Sequence, residues 1–385
     1  MRSGQNYKQY SRIKHALAFA GIAVPVLFLT AVLFSGLSLE LRNFAAGISD
    51  NFYLNIVLYL LILGAAYYIL TFPLGFYSGF ILEHKFNLSS QKFNAWLWDE
   101  IKEILVSLTI FLPLSLGMYF LLRNFSGTWW IIAGVFWIFF SIILSKIAPV
   151  VLLPIFFKQK PLEDEELKQR LLKLAERAGT NIKGVFELDL SRKTKKANAA
   201  LTGIGNTRRI LLGDALLKDY TKDEIELVMA HELGHQKLLH IWKLLGVSVI
   251  VTFLGLYIAS VVIKSGANVL SAGGAFANLY GGGFNGISDI AAFPVIALAI
   301  SLFGIAAMPI ENGYSRHLER NADMFALKIT GMPEAFISAM SKLSKQNLSD
   351  PEPSKFIEIM LYNHPPIAKR IKMAQGFLSE ARGLS

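Results

Sequence analysis

Six apolar segments, each long enough to cross a lipid bilayer, constrain this chain more than any other feature. A membrane-spanning helix needs about 20 predominantly apolar residues. The segments cover residues 16–36, 54–76, 104–122, 128–148, 244–263 and 290–310. Only 17% of the chain is charged, whereas soluble domains average about 25%. The sequence therefore predicts a mainly α polytopic membrane protein with about six transmembrane helices.

Basic residues are distributed unevenly between the loops that join these segments. Seven of them precede the first segment or separate the second from the third: Arg2, Lys8, Arg12, Lys14, Lys85, Lys92 and Lys102. The opposite loops carry Arg42, Arg123 and Lys264. Because cytoplasmic loops are enriched in Lys and Arg, we expect both termini in the cytoplasm and the protein in an inner or plasma membrane. The same bias accounts for the net charge of +10 without a nucleic-acid partner.

The apolar segments also divide the chain into four parts. We predict an N-terminal transmembrane region of four spans, a first polar segment, a two-span membrane hairpin and a second polar segment, at residues 1–158, 159–243, 244–310 and 311–385. In the first polar segment, residues 161–179 have the pattern of an amphipathic helix, and residues 183–191 and 207–213 have that of short strands. The second polar segment is predicted to be mainly helical. The glycine-rich residues 264–286 are predicted to form a flexible loop on the far side of the membrane.

The segment His231-Glu-Leu-Gly-His235 carries the first candidate for chemistry. Histidines at i and i+4 share one helical face, and both can bind one tetrahedral zinc ion while the intervening glutamate acts as general base. We therefore predict His231 and His235 as ligands to one Zn²⁺ per chain and Glu232 as the base. Thr221 and Glu224 form a capping-box pattern at the start of this helix. Because cysteine is absent, any further protein ligand is His, Asp or Glu. The alternative is a helix whose histidines are solvated or lie in a core.

A third ligand is predicted in the second polar segment. Glu319 and Asp323 are spaced i, i+4 and share a helical face. Glu319 could bind the metal, and Asp323 could accept a hydrogen bond from a ligand histidine and orient its ring. The alternative is an exposed helix on which Arg316 and Arg320 pair with these acids.

The remaining histidines and one basic run are weaker candidates. We interpret four histidines as structural or interfacial: His15, His84, His240 and His317. Of these, His240 is expected on the helix of the motif, facing roughly away from His231. The basic run 192–196 could contact anionic lipid headgroups or lie in a solvated loop.

The combination of HELGH with SRHLERNAD resembles a clan of zinc metallopeptidases. This clan contains the type I CAAX prenyl protease and the bacterial heat-shock membrane protease. Its S-R-x-x-E-x-x-A-D motif matches Ser315, Arg316, Glu319, Ala322 and Asp323. The resemblance implies that Glu319 is the third zinc ligand and that Asp323 lies beside it.

Further stretches are similar to the CAAX protease branch, so that the likeness covers about residues 50–375. They are FILEHKFNLSSQKFNAWLWDEIKEIL, LLPIFFKQKPLEDEELK, NAALTGIGNTRRILLGDALL and NHPPIAKR. The resemblance implies that Asn198 and Ala199 bind the substrate backbone by strand addition. It also implies that His364 and Arg370 lie near the zinc, where His364 stabilises an oxyanion. Eukaryotic members have seven spans, so a count of six indicates a prokaryotic relative whose substrates need not be prenylated.

These observations favour a membrane-embedded zinc endopeptidase with a small cytoplasmic α+β catalytic domain in two segments. Its substrates would be membrane-associated peptides or proteins, with CAAX-type C-terminal processing as one option. A heat-shock-type protease that removes damaged membrane proteins is the alternative within the same class. A transporter or an inactive membrane scaffold is the alternative from another class. Transporters place ionisable groups within their spans, and the predicted spans are almost free of acids.

Overall fold

A computed structural model of the protein describes residues 2–203, 205–271 and 287–383. In the described part the helices are α1 (Arg2–Phe34), α2 (Leu37–Ile48), α3 (Phe52–Phe76), α4 (Leu82–Lys85), α5 (Phe93–Asn124), α6 (Trp129–Ile147), α7 (Leu153–Phe156), α8 (Glu165–Arg177), α9 (Asp214–Asp219), α10 (Lys222–Lys237), α11 (His240–Ser271), α12 (Phe293–Thr330), α13 (Pro333–Gln346), α14 (Lys355–Leu361) and α15 (Ile367–Ala381). Short π-helical turns join α3 to α4 and α6 to α7.

Long apolar helices form the bulk of the molecule, as predicted. Five stretches within the described residues are long and apolar enough to cross a membrane: Tyr7–Phe34, Phe52–Lys85, Phe93–Asn124, His240–Val262 and Ile290–Thr330. The sixth predicted span corresponds to α6, of which the apolar stretch Trp129–Ser145 is shorter. The prediction of a mainly helical protein with about six membrane helices is therefore confirmed, although the helices extend well beyond the predicted spans.

Only part of the predicted loop at 264–286 can be compared with the structure. Helix α11 continues to Ser271, so residues 264–271 are helical and that part of the prediction is wrong. Residues 272–286 lie outside the described residues. Because a helical span of about 20 residues already crosses the membrane, α11 extends several turns past the length that crossing requires.

The membrane helices pack together at the end remote from α10. One buried cluster contains side chains from six helices: Val32, Ile56, Tyr59, Leu60, Leu63, Tyr119, Leu122, Trp129, Ala133, Leu256, Ala259, Ile290 and Ile296. These residues lie late in α1 and α5, near the middle of α11 and early in α3 and α6, and Ile290 lies just before α12. The lateral surface is apolar as well, since Ile69 and Ile250 are 72% and 67% exposed. Such exposure is expected of side chains that face lipid.

A four-stranded sheet forms the small α+β unit. Its strands are β1 (Gln159–Pro161), β2 (Gly184–Leu188), β3 (Ala199–Thr202) and β4 (Arg209–Gly213), in the order β1-β2-β4-β3. The β2–β4 pair is parallel and the other two pairs are antiparallel. Helices α8 and α10 bury Leu171, Leu174, Met229 and Leu233 in a common core with Ile210 of β4. A helix therefore lies within the predicted range 161–179, at Glu165–Arg177, although Pro161 belongs to β1. Both predicted strands are present within their ranges.

The basic run at 192–196 holds this unit to the membrane helices. Lys193 Nζ lies 2.8 Å from a carboxylate oxygen of Asp99, and both side chains are largely buried. Lys196 Nζ lies 2.8 Å from Glu83 Oε2. Neither lipid contact nor a solvated loop describes these two lysines, because both pair with acids at the ends of membrane helices.

Candidate metal centre

Helix α10 begins with the capping box that the sequence predicts. The Glu224 backbone N–H donates to Thr221 Oγ1 over 3.3 Å, and the Thr221 backbone N–H donates to Glu224 Oε2 over 2.8 Å. Glu224 is 3% exposed and also accepts from Ser338 Oγ at 2.6 Å and Lys342 Nζ at 2.7 Å. Burial alone would raise the pKa of Glu224, but these hydrogen bonds outweigh burial and lower it.

Helix α12 brings the second half of the centre against α10. The two helices approach closely at Gly234, where a methyl group would lie 3.1 Å from Phe325 Cδ1 and 3.3 Å from both Cα and O of Ala322. A side chain at this position would push these neighbours apart by a few tenths of an ångström, so glycine favours the close approach of the two helices. The close approach places Glu319, one turn before Ala322, opposite the two histidines of α10.

Three potential ligand atoms converge between these helices. The Nε2 atoms of His231 and His235 are 3.0 Å apart. Glu319 Oε2 lies 3.2 Å from His231 Nε2, and Glu319 Oε1 lies 3.3 Å from His235 Nε2. Each of the three residues offers one donor atom within 4.8 Å of the other two. The structure thus brings Glu319 next to two histidines that lie 84 and 88 residues earlier in the sequence.

The outer nitrogen of His231 is held by a buried ion pair. His231 Nδ1 lies 2.8 Å from Asp323 Oδ1, and Asp323 is fully buried. Arg370 binds both oxygens of this carboxylate, through Nε at 2.8 Å and Nη2 at 2.5 Å. Because the carboxylate accepts the Nδ1 proton of His231, Nε2 of that ring is left to face Glu319 and His235.

The outer nitrogen of His235 has a partner that the sequence did not indicate. Helix α10 ends at Lys237, and Leu239 adopts a left-handed conformation with φ of 57°. His240 is the first residue of α11, and its Nδ1 lies 3.0 Å from His235 Nδ1. The expectation that His240 lies on the helix of the motif and faces away from the site is therefore wrong, because the helix breaks just before it.

The chemistry of the group fits one bound cation. Burial alone would lower the pKa of His231, but the carboxylates of Asp323 and Glu319 outweigh burial and raise it to about 9. Burial and the neighbouring His231 lower the pKa of His235 to about 4. Apart from its 3.2 Å approach to His231 Nε2, the buried Glu319 Oε2 has no hydrogen-bond partner among the described residues. Two nitrogens and a carboxylate that converge in this way match the donor set of a catalytic zinc site.

Glu232 and His364 border the same group. Burial raises the pKa of Glu232, which follows His231 on α10. His364 Nε2 lies 3.3 Å from Glu319 Oε1, and 54% of the His364 side chain is exposed. The structure therefore places His364 beside the candidate ligands, where the resemblance to zinc metallopeptidases puts it.

The segment that carries His364 is held by α12. Arg316 Nη1 donates to the backbone carbonyls of Glu358 and Tyr362 at 2.8 and 2.5 Å, and Asn312 Nδ2 donates to the Met360 carbonyl at 2.7 Å. Arg316 thus binds backbone oxygens, and the structure shows it in no surface pair with Glu319 or Asp323. Four residues of α12 at spacings of four, three and four lie on one face: Asn312, Arg316, Glu319 and Asp323. One face of α12 therefore contributes to the ligand group and fixes the segment beside it.

The predicted substrate-binding residues lie at the edge of the sheet. Asn198 accepts a hydrogen bond from the Gly213 backbone N–H at 2.9 Å, and Ala199 begins β3 opposite Leu212 of β4. Strand β3 is the last strand in the sheet order. An extended peptide could add to this edge, because the outer backbone groups of an edge strand are available for pairing.

The other histidines lie outside the ligand group. His15 contacts the Tyr362 hydroxyl at 3.2 Å, His84 contacts the backbone carbonyls of Phe80 and Gln91, and His317 contacts Asn321. These contacts agree with the structural role expected of these residues.

The membrane helices carry an HExxH helix whose two histidines lie beside a glutamate from a second helix. This combination defines a membrane metallopeptidase. The chain belongs to peptidase family M48, whose family model matches residues 161–377. A second family model, described as the CAAX prenyl protease N-terminal region with five membrane helices, matches residues 3–158. The protein is therefore an integral membrane metalloprotease, and its family implies a metal cofactor and peptide or protein substrates at the membrane.

Individual relatives agree with this assignment. A Bacillus subtilis protein described as an uncharacterized metalloprotease, YhfN, is 29% identical over 368 residues, which are 96% of this chain and 84% of the relative. The CAAX prenyl protease 1 of Saccharomyces cerevisiae is 31% identical over 323 residues, which are 80% of this chain and 69% of the relative. The crystal structure of S. mikatae Ste24p has the same fold, with a TM-score of 0.86, 24% identity and coverage of 97% of this chain and 89% of that one. These matches favour the peptidase over the transporter and the scaffold considered from the sequence.

Proposed function

We propose that this protein is a zinc endopeptidase that cleaves membrane-associated peptides or proteins at the cytoplasmic face of an inner or plasma membrane. The observation that carries the proposal is the convergence of His231, His235 and Glu319 from two helices. These residues would hold one zinc ion through Nε2, Nε2 and a carboxylate oxygen. A zinc ion in such a site lowers the pKa of water toward about 7 and polarises the carbonyl that is attacked.

Glu232 is proposed as the general base. It follows a ligand histidine directly on α10, and burial raises the pKa of its carboxyl group. A carboxylate whose pKa lies closer to neutrality takes a proton from water more readily than an ordinary carboxylate. Glu232 would take a proton from the attacking water and deliver it to the leaving amine, so that the carboxylate is restored at the end of the cycle.

His364 is proposed to stabilise the negative charge that develops on the scissile carbonyl oxygen. Its Nε2 already reaches the ligand group, and half of its side chain is open to an incoming substrate. Asp323 and Arg370 are proposed to orient His231 without touching the substrate. Asn198 and Ala199 are proposed to bind the substrate backbone along the edge of β3, which supports a preference for extended peptides.

The relationship to CAAX prenyl proteases supports C-terminal processing of membrane peptides as one proposed activity. Removal of damaged membrane proteins is the alternative. The distribution of Lys and Arg supports a cytoplasmic location of the termini and the active site. The contacts between the HExxH helix and α12 support a catalytic domain formed from residues 159–243 and 311–385, with membrane segments at 1–158 and 244–310.

A single substitution tests the proposed mechanism. Glu232→Gln removes the base but keeps a side chain of the same shape next to the ligands. We expect the purified variant to retain zinc and to lose hydrolysis of a quenched membrane-anchored peptide by at least about 100-fold, the lower end of the usual contribution of general-base catalysis. Hydrolysis at the parental rate with zinc retained would refute the assignment of Glu232.

The substrate class is tested with paired peptides. One peptide carries a farnesylated C-terminal CAAX sequence, and the matched control has the same sequence without the lipid. Preferential cleavage of the farnesylated peptide would support CAAX-type processing. Equal cleavage of both, together with degradation of an unfolded membrane protein, would favour the quality-control alternative.

A further inference from the structure

His240 is the first residue of membrane helix α11 and contacts a candidate metal ligand. Its Nδ1 lies 3.0 Å from His235 Nδ1, and the residue is only 1% exposed. It lies outside the HExxH motif and outside the group of three potential ligands. The contact therefore needs an explanation beyond the ligand set itself.

The proton positions follow from the geometry of the two rings. Nε2 of His235 faces Glu319 and His231. A histidine that binds a metal through Nε2 carries its proton on Nδ1 and donates it to a neighbouring acceptor. Nδ1 of His240 is then the acceptor, which leaves the proton of neutral His240 on Nε2.

Two features of this arrangement oppose folding. The turn before His240 requires Leu239 at φ of 57°, a left-handed conformation that is unfavourable for a side chain of this size. The Nε2 atom of His240 is buried and has no hydrogen-bond partner in the described part of the chain, and a buried donor without a partner is destabilising. Stability alone therefore does not account for His240 at this position.

We propose that His240 is a positioning residue for the metal centre. Its Nδ1 accepts the Nδ1 proton of His235 and so holds that ring in the tautomer and orientation that direct Nε2 to the metal. Asp323 holds His231 in the corresponding way. This inference rests on the proposed zinc site. It also links the site to the membrane, because the first residue of a spanning helix orients one of the ligands.

The experiment compares zinc affinity in three full-length proteins purified in detergent: the parent, His240→Leu and His240→Asn. Zinc affinity is measured by competition with a chelator, independently of proteolysis. Leucine removes the Nδ1 acceptor of His240 while filling a similar volume. Asparagine places its side-chain oxygen close to the former position of His240 Nδ1. We expect His240→Leu to weaken zinc binding by about 10- to 100-fold, the usual effect of losing such a partner, and His240→Asn to restore most of the loss.

Thermal unfolding of the metal-free proteins separates positioning from a structural role. Leucine removes the buried unpaired Nε2 of His240 but takes the acceptor from Nδ1 of His235, whose side chain is 23% exposed. The two effects oppose each other, so metal-free His240→Leu should unfold close to the parental temperature. Leu239→Gly relieves the left-handed strain and should raise that temperature without weakening zinc binding.

Parental zinc affinity in His240→Leu would overturn the inference. It would also be overturned if His240→Asn were as weak as His240→Leu and both metal-free proteins were equally destabilised, since the role would then be structural. Failure of the proposed function looks different, because the parent itself would then bind no zinc and cleave no peptide.

Discussion

The two helices that form the metal centre are held in place by different means. Helix α10 is fixed locally: a capping box begins it, and Met229, Ala230 and Leu233 are fully buried in the core beside the sheet. Helix α12 is 38 residues long and enters the site as the continuation of a membrane helix. Its contribution is fixed by charge and hydrogen bonds, above all by Arg370 on Asp323.

The difference shows how the site depends on the membrane bundle. Helix α10 offers only two of the three potential ligands, and the third is supplied by α12. A shift of α12 relative to the sheet would therefore separate the ligands even if α10 remained folded. Apart from His231, Glu232 and His235 themselves, we expect substitutions on the α10 side to act mainly through the stability of the small domain. Substitutions on the α12 side should affect metal binding and activity more strongly.

The largest effect is expected from Arg370→Met. This change leaves the fully buried Asp323 carboxylate without its cationic partner. Breaking a buried ion pair by removing one partner costs about 3–5 kcal/mol, so a marked fall in the midpoint of thermal unfolding should be measured. Zinc affinity should fall as well, because Asp323 orients His231.

The matched control is the double variant Asp323→Asn with Arg370→Met, which leaves no unpaired charge. It should recover much of the lost stability but not the zinc affinity. If Arg370→Met alone unfolds at the parental temperature, the ion pair does not hold the α12 side of the site.

A smaller effect is expected from Arg316→Met, which removes two hydrogen bonds to the segment that carries His364. Each such bond to a charged donor contributes about 1.5–3 kcal/mol, and about 1.4 kcal/mol corresponds to a tenfold change in rate. We expect kcat to fall roughly tenfold or more while zinc content is unchanged. Arg320→Met is the control on the same helix, since Arg320 is exposed. Equal kcat in the two variants would argue against positioning of His364 by Arg316.

The smallest effect is expected on the α10 side and depends on pH. Hydrogen bonds from Lys342 and Ser338 outweigh burial and hold the pKa of Glu224 below its ordinary value of 4.5. A carboxylate with a lowered pKa in the folded protein stabilises the fold above its unfolded pKa, and that contribution is lost as the pH falls through the folded pKa. The midpoint of thermal unfolding should therefore fall as the pH decreases below about 4.5.

Glu224→Gln should reduce this acid dependence and lower the stability at pH 7 by about 1–2 kcal/mol. Glu163→Gln is the control, because the Glu163 side chain is 82% exposed. Identical pH profiles for the parent and Glu224→Gln would show that the capping box does not carry the acid dependence.

Much of this architecture could be predicted from local sequence. The apolar segments indicated the membrane helices, and Thr221, Glu224 and the HExxH spacing indicated α10 with its shared face. The glutamate and aspartate of α12 were found by the same i, i+4 rule. These features are local, because each depends on residues within a few turns of one another.

The features that could not be predicted depend on distant contacts or on an unmarked turn. No glycine or proline marks the break at Leu239, so the sequence pattern suggested one continuous helix through His240. Arg316 donates to carbonyls 42 and 46 residues away, and backbone acceptors leave no trace in side-chain patterns. The pairing of Lys193 with Asp99 likewise joins two segments whose sequences give no sign of each other.

The most direct test of the account is the zinc content of the purified full-length protein and its Glu319→Ala variant. Glu311→Ala, two turns earlier on the same helix, serves as the control for non-specific damage to α12. We predict about one zinc ion per chain in the parent and in Glu311→Ala, and a large loss in Glu319→Ala. A full complement of tightly bound zinc in Glu319→Ala would contradict a centre shared between α10 and α12.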